Sequence, residues 1–218
     1  MFTDTLNCGV RWLAVLVATI ILGMAPTHAG LLNPGATILL QPANEPLGAT
    51  LLVATNTTFT AAAFAGSLAS QVWNGDEANL WGGLTFCYRL ALTKGSADSL
   101  GWFTLNGFVG ALTDVNCSDK GFAPRLATRS TSGAEISFGF FDDDHEDGLL
   151  SSGSSAWLVI QTDSATWGRN QSVTLNSLEV AAATFAPIAI PEPAVGRLLA
   201  VVATLGMLVA PRRQPSAA

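Results

Sequence analysis

Residues 141–148 read Phe-Asp-Asp-Asp-His-Glu-Asp-Gly, and Asp142, Asp143, Asp144, Glu146 and Asp147 form the densest collection of carboxylates in this 218-residue chain. Oxygen ligands at that density suit calcium, which takes roughly six to eight of them. Asp142, Asp144 and Glu146 are the candidate ligands. The spacing is not that of an EF-hand loop. With Asp143 at the first position, His145 falls at the third and Ser154 at the twelfth, where a bidentate Glu belongs. A solvated acidic connection between two strands is the simpler reading, because runs of charge mostly face water, and the chain is expected to need no cofactor. Paired carboxylates such as Asp142 and Glu146 could in principle serve glycoside hydrolysis, a reaction that needs two carboxyls across one cleft.

Other reactive groups are scarce. His145 is the single histidine after residue 29, which excludes multi-histidine metal sites and leaves a serine triad without an oriented base. The chain has no Gly-x-Ser-x-Gly elbow, His-Glu-x-x-His, glycine-rich phosphate loop or Cys-x-x-Cys. The expectation is a protein that is not an enzyme. Of the tryptophans, Trp157 lies in the apolar run Trp-Leu-Val-Ile-Gln-Thr and is expected in the core. Trp81 and Trp167 each stand beside a glycine, are expected to be exposed, and are the candidates for stacking on sugar rings.

Two terminal segments frame these residues. At the front, Arg11 precedes the apolar run 13–25, and Thr27 and Ala29 supply small residues for a cut before Gly30, the grammar of a secretory signal peptide over 1–29. Thirteen helical residues cover only about 20 Å of a roughly 30 Å hydrocarbon core, so a retained anchor fits less well. At the back, Ala194 to Ala210 would reach about 25 Å as a helix, at the lower limit for crossing a bilayer. Its Leu and Val side chains favour insertion by about 0.3–0.6 kcal/mol each, against which Arg197 stands near one end. Arg212 and Arg213 follow at once and hold that end in the cytoplasm with the preceding domain outside. Two prolines around Glu192 lack amide donors and keep the residues before the helix extended and accessible.

Pro191-Glu192-Pro193, a short apolar helix and Arg212-Arg213, at the C-terminal end of a chain with a signal peptide, together resemble the PEP-CTERM sorting signal of Gram-negative bacteria that make extracellular polysaccharide. The resemblance covers the last 28 residues. It implies recognition by an exosortase-type membrane protease acting near Pro191-Glu192-Pro193, transit through the inner membrane on the C-terminal helix, and a structural or adhesive role in the envelope or polysaccharide matrix. A carbohydrate-binding module, with or without calcium, is the alternative role.

Export bears on the cysteines. With Cys8 in the signal, Cys87 and Cys117 remain as an even pair outside the cytosol, and a disulfide between them is expected. It would stabilise the fold by roughly 3–4 kcal/mol on the chain-entropy model.

Between the signals, residues 30–193 carry fifteen carboxylates against six basic side chains, which excludes nucleic acid as a partner. Short β-type runs recur from residues 36, 50, 84, 101, 135, 157 and 172, separated by Gly, Ser, Asn and Asp. In Leu84 to Leu92 the even positions Phe86, Tyr88, Leu90 and Leu92 are apolar, the alternation of a half-buried strand. Stretches such as residues 61–73 could form a helix, but no long run keeps an apolar 3.6-residue period with caps, so helix is secondary. The expected architecture is all-β, a single antiparallel, jelly-roll-like sandwich over 30–187, followed by a linker and sorting signal over 188–218 with its transmembrane helix at 194–210.

For a solvated acidic loop, calorimetry with millimolar calcium should give no binding heat and no shift in melting temperature. Heat together with a raised melting temperature would make Asp142, Asp144 and Glu146 a calcium site.

Overall fold

The computed structural model describes residues 30–43, 46–93, 99–141 and 152–188. The signal peptide, the acidic stretch 142–150, the linker residues 189–190 and the sorting signal lie outside the described residues. Strands run in the order β1 (Gly30–Leu31), β2 (Thr37–Leu39), β3 (Thr50–Thr60), β4 (Ala65–Asn74), β5 (Thr85–Leu92), β6 (Trp102–Asn106) and β7 (Thr113–Cys117). They continue with β8 (Leu126–Arg129), β9 (Glu135–Gly139), β10 (Gly153–Ser154), β11 (Leu158–Thr162), β12 (Trp167–Leu175) and β13 (Leu178–Pro187). Two sheets result. The front sheet has the order β1-β7-β11-β5-β4-β3, with β10 also on β5, and the back sheet has the order β13-β12-β6-β9-β8-β2. Paired strands are antiparallel throughout both sheets. The described residues thus form the antiparallel β-sandwich that the alternating runs predict.

Alternation decides which side chains fill the space between the sheets. Phe86, Tyr88, Leu90 and Leu92 of β5, and Leu158 and Ile160 of β11, are buried against Phe103 and Leu105 of β6, Ile136 and Phe138 of β9, and Val173 and Leu175 of β12. Residues 61–73, which could form a helix by sequence, contribute most of strand β4 instead. Gly66, Leu68, Ser70 and Val72 face inward in strict alternation, and the small side chains let β4 pair closely with both β3 and β5. A Cβ on Gly66 would stand 2.1 Å from the Ala91 carbonyl oxygen, so no other residue fits that approach. The run at 172–180 is not one strand but the hairpin of β12 and β13. Asn176 and Ser177, at φ 45° and 70°, make its two-residue turn in the left-handed region. The Asn176 side chain then accepts from the amides of Gly101 and Trp102 and donates to the Ser99 carbonyl, which fixes the start of β6.

Two polar side chains staple the sandwich from inside. Arg129 faces inward from β8 and is 3% exposed. Its Nε donates to Gly133 O, Nη1 to Leu32 O and Thr113 Oγ1, and Nη2 to Phe108 O and Ala111 O, at 2.7–3.2 Å. A guanidinium has five N–H groups, and all are used. Tyr88, from the front sheet, donates its hydroxyl to Phe185 O of β13, and Phe185 N donates to Ser70 Oγ at 3.1 Å. Phe185 sits on the free edge of the back sheet, so these two front-sheet hydroxyls satisfy backbone groups that no strand would.

Replacing Arg129 by Met strands the Gly133 and Ala111 carbonyl oxygens, while Leu32 O keeps the Thr113 hydroxyl and Phe108 O the Ala111 amide, and should cost at least about 2 kcal/mol, since each unsatisfied buried group costs roughly 1–3 kcal/mol. Arg129→Lys, with three donors at one point, should recover only part of it. Urea unfolding of the two variants checks this, and a loss below about 1 kcal/mol in Arg129→Met would show that the staple is dispensable.

Candidate functional site

The outer face of the front sheet departs from the rule that outward positions are polar and wet. Ladder register lays its side chains out in rows across the strands. One row holds Trp73, Thr85, Gln161 and Asp114, the next Gln71, Cys87, Val159 and Asn116, and a third Ala69 and Arg89, followed by Trp157 immediately before β11. Thr85, Cys87, Val159, Asn116 and Gln161 are all at most 5% exposed although they point away from the core. A covering segment explains it. Pro42 bridges to Cys117 at the β7 edge and Ala43 N donates to Cys117 O. Pro46 and Leu47 then lie over the face, ahead of β3 on the opposite side of the sheet.

A buried carboxylate holds this cover down. Asp76, 6% exposed, accepts through Oδ1 from the amides of Leu47 (3.2 Å) and Ala78 (3.1 Å), and through Oδ2 from Thr85 Oγ1 (2.8 Å) and Gln161 Nε2 (3.1 Å). Four neutral donors thus replace the water that the charge loses. Asn79 completes the loop. Its amide nitrogen reaches the carbonyls of Gly83 and Thr162 at 3.0 Å, and its oxygen accepts from Trp81 N. A Cβ on Gly83 would stand 2.5 Å from the Thr162 carbonyl oxygen, so glycine is required where this loop crosses β11.

Between cover and sheet lies a hollow of about 160 Å³, lined by Pro46, Gln71, Trp73, Cys87 and Trp157. Trp73 Nε1 donates to Gln71 Oε1 at 3.1 Å, and the Arg89 guanidinium stands 5.9 Å from the Trp157 ring centroid while its Nε reaches Ser155 O. Both indoles are half-buried.

The tryptophans differ from expectation, since Trp81, Trp157 and Trp167 are all half-buried. Trp157 is not core: Leu158 faces inward, so its neighbour must face out. Trp167 is half-buried and packs edge-to-face on Phe185 at 5.1 Å, and Trp81 is half-buried with its ring nitrogen buried without a partner. Trp73, to which the sequence gives no role, lines the hollow because β4 turns its odd positions outward.

The expected Cys87–Cys117 disulfide does not form. Cys87 pairs with Val159 and Cys117 with Leu158, so β11 separates them by about 10 Å, beyond the roughly 7 Å a disulfide spans. Because Leu158 and Val159 point to opposite faces, one thiol lies in the hollow and the other in the core. Both are buried. The candidate calcium residues Asp142, Asp144 and Glu146 lie outside the described residues, as do Pro191, Glu192, Pro193, Arg212, Arg213 and Ala29. Among the described residues no three His, Cys, Asp or Glu side chains gather as metal ligands. No helix of the described residues is long and apolar enough to cross a membrane. No protein-family model matches the chain, nor does any curated protein or solved structure.

With the thiols apart, reductant should leave the melting temperature at pH 7 unchanged, and intact mass should show no disulfide. Alkali is the sensitive direction. Burial pushes the Cys117 thiol up from 9.0 to about 11, so its contribution to stability is complete below about pH 9 and is lost as pH rises through about 11. Tyr88, raised by burial and secondarily by Cys87, extends the loss above its ordinary value of 10.0. Cys117→Val should flatten the fall in melting temperature between pH 9 and 11, and an unchanged profile would contradict this assignment.

Proposed function

We propose that the chain is an exported, non-catalytic surface or matrix protein, cut from its leader before Gly30 and sorted through its C-terminal Pro191-Glu192-Pro193 signal. The observation that carries the reading is the fit between the fold and the two signals. Strand β1 opens at Gly30, the residue that would become the N-terminus, and pairs at once with β7. Strand β13 closes at Pro187, four residues before Pro191. Every strand of the described residues therefore lies between the two proposed processing points. The repeated crossings of the chain between the sheets from β5 to β12 support reading the sandwich as jelly-roll-like.

On this reading the apolar segment 194–210 holds the protein in the inner membrane during transit, with Arg212 and Arg213 on the cytoplasmic side. An exosortase-type protease then acts near Glu192, and the domain remains at the surface or among extracellular polysaccharide. The shortness of the tether between Pro187 and the membrane segment suits a protease embedded in that membrane.

Intact-mass measurement of the protein from native cells and medium tests it. The expected product starts at Gly30 and ends close to Pro191, and Glu192→Ala should retain the C-terminal segment. A product that keeps its C-terminus through Ala218 would make it a plain membrane-anchored domain.

A further inference from the structure

We propose that the hollow on the outer face of the front sheet is a saccharide-binding site that takes one pyranose ring of a neutral, equatorially linked polysaccharide. The inference rests on the export reading only for where such a polymer would be met. The binding chemistry stands on the face itself.

The site is built rather than incidental. Its floor is continuous sheet, because Gln71 and Trp73 belong to β4 and Cys87 to β5, and each of these strands is paired on both sides. Its roof is pinned, because Asp76 holds the Leu47 amide next to Pro46 while the same carboxylate grips Thr85 and Gln161 on the floor. Trp73 and Trp157 stand at opposite corners. Two strand spacings across and four residues along place their Cα atoms roughly 16 Å apart, and their side chains close in on the hollow between them. At about 160 Å³ the space matches a single sugar ring, well below the roughly 300 Å³ at which pockets for larger ligands begin.

The polar groups fit the same ligand. A pyranose offers apolar C–H faces and a rim of hydroxyls. Indole surfaces cover the faces, while amide and guanidinium groups meet the rim. Gln71 holds Trp73 through its amide oxygen, which leaves the amide nitrogen to donate. Arg89 lies along Trp157 with Nε on Ser155 O, which orients the rest of its fork. Substituents in equatorial positions keep the ring flat enough to enter between cover and sheet, which favours β-1,4-linked glucan or xylan. The buried Asp76 carboxylate disfavours an acidic sugar.

The hollow beside Arg129 does not compete. It is lined in part by Leu31, Pro34 and Leu112, and its one cation has every donor committed to the fold.

Affinity electrophoresis of the full chain in detergent tests the site, using native gels that contain hydroxyethylcellulose, soluble xylan or alginate. We expect retardation by hydroxyethylcellulose or xylan and none by alginate. Trp73→Ala and Trp157→Ala should each weaken binding about tenfold or more, since one stacked indole accounts for roughly that factor. Trp102→Ala, on the back sheet, should leave it intact. Circular dichroism keeps a folding defect separate, and Gln71→Leu, which preserves bulk, should also weaken binding. Mobility unaffected by both neutral polymers overturns the proposal, as does retardation that survives both tryptophan variants or that alginate alone produces. Correct processing at Gly30 and Pro191 with no saccharide binding would sink this site and leave the export reading standing.

Discussion

A single buried cation sets the frame on which the rest of this fold is hung. Arg129 enters the core from the back sheet and ends on oxygens of the β1–β2 connection, the β6–β7 loop, β7 and the β8–β9 turn. Burial pulls the guanidinium below its ordinary value, with Asp163 acting in the opposite direction, yet the group stays charged at neutral pH. Its partners are carbonyl and hydroxyl dipoles, and an isolated charge without them would be far too costly to desolvate. The consequence is positional. Thr113 opens β7, so the staple fixes where β7 meets β11, and β11 in turn sets the rows of the outer face.

That outer face repeats the same logic with the opposite charge. Asp76 is a buried carboxylate satisfied by neutral donors, and it ties a covering segment to the sheet as Arg129 ties loops to the core. A sandwich needs no such cover for stability, because its hydrophobic layer is complete between the sheets. The back sheet shows the ordinary solution. Its outer face carries paired hydroxyls, Thr37 with Thr128 exposed and Thr104 with Ser137 part-buried. The contrast between the two faces is what singles out the front one for the proposed site.

The sequence told most where one face of a strand is apolar and the other polar. Leu84 to Leu92 alternates cleanly and is β5. Strand β4 was harder to read because Ala, Gly and Ser carry little hydrophobic contrast, although its register is as regular as any. Strand β7, Thr-Asp-Val-Asn-Cys, is buried at every position with two polar residues under the cover, so no pattern announces it. Trp157 was misplaced for a related reason. In a continuous apolar run both faces look alike, and only the inward Leu158 and Ile160 reveal the parity. The cysteine pairing failed because parity of count says nothing about which strand lies between. Of the hollow, Trp81 and Trp167 drew attention through neighbouring glycines, whereas Trp73 and Trp157 become visible only once β4, β5 and β11 are laid side by side. The tryptophans as candidates for stacking were thus legible from composition, and which of them line the hollow was not.

The most direct test of the account is nitrogen-15 NMR of the indole N–H groups during titration with a β-1,4-linked gluco- or xylo-oligosaccharide. The account predicts that the Trp73 and Trp157 signals move together and saturate at one concentration, while those of Trp102 and Trp167 on the back sheet stay in place. Movement confined to the back-sheet tryptophans, or no movement of Trp73 and Trp157 at saturating sugar, would contradict it.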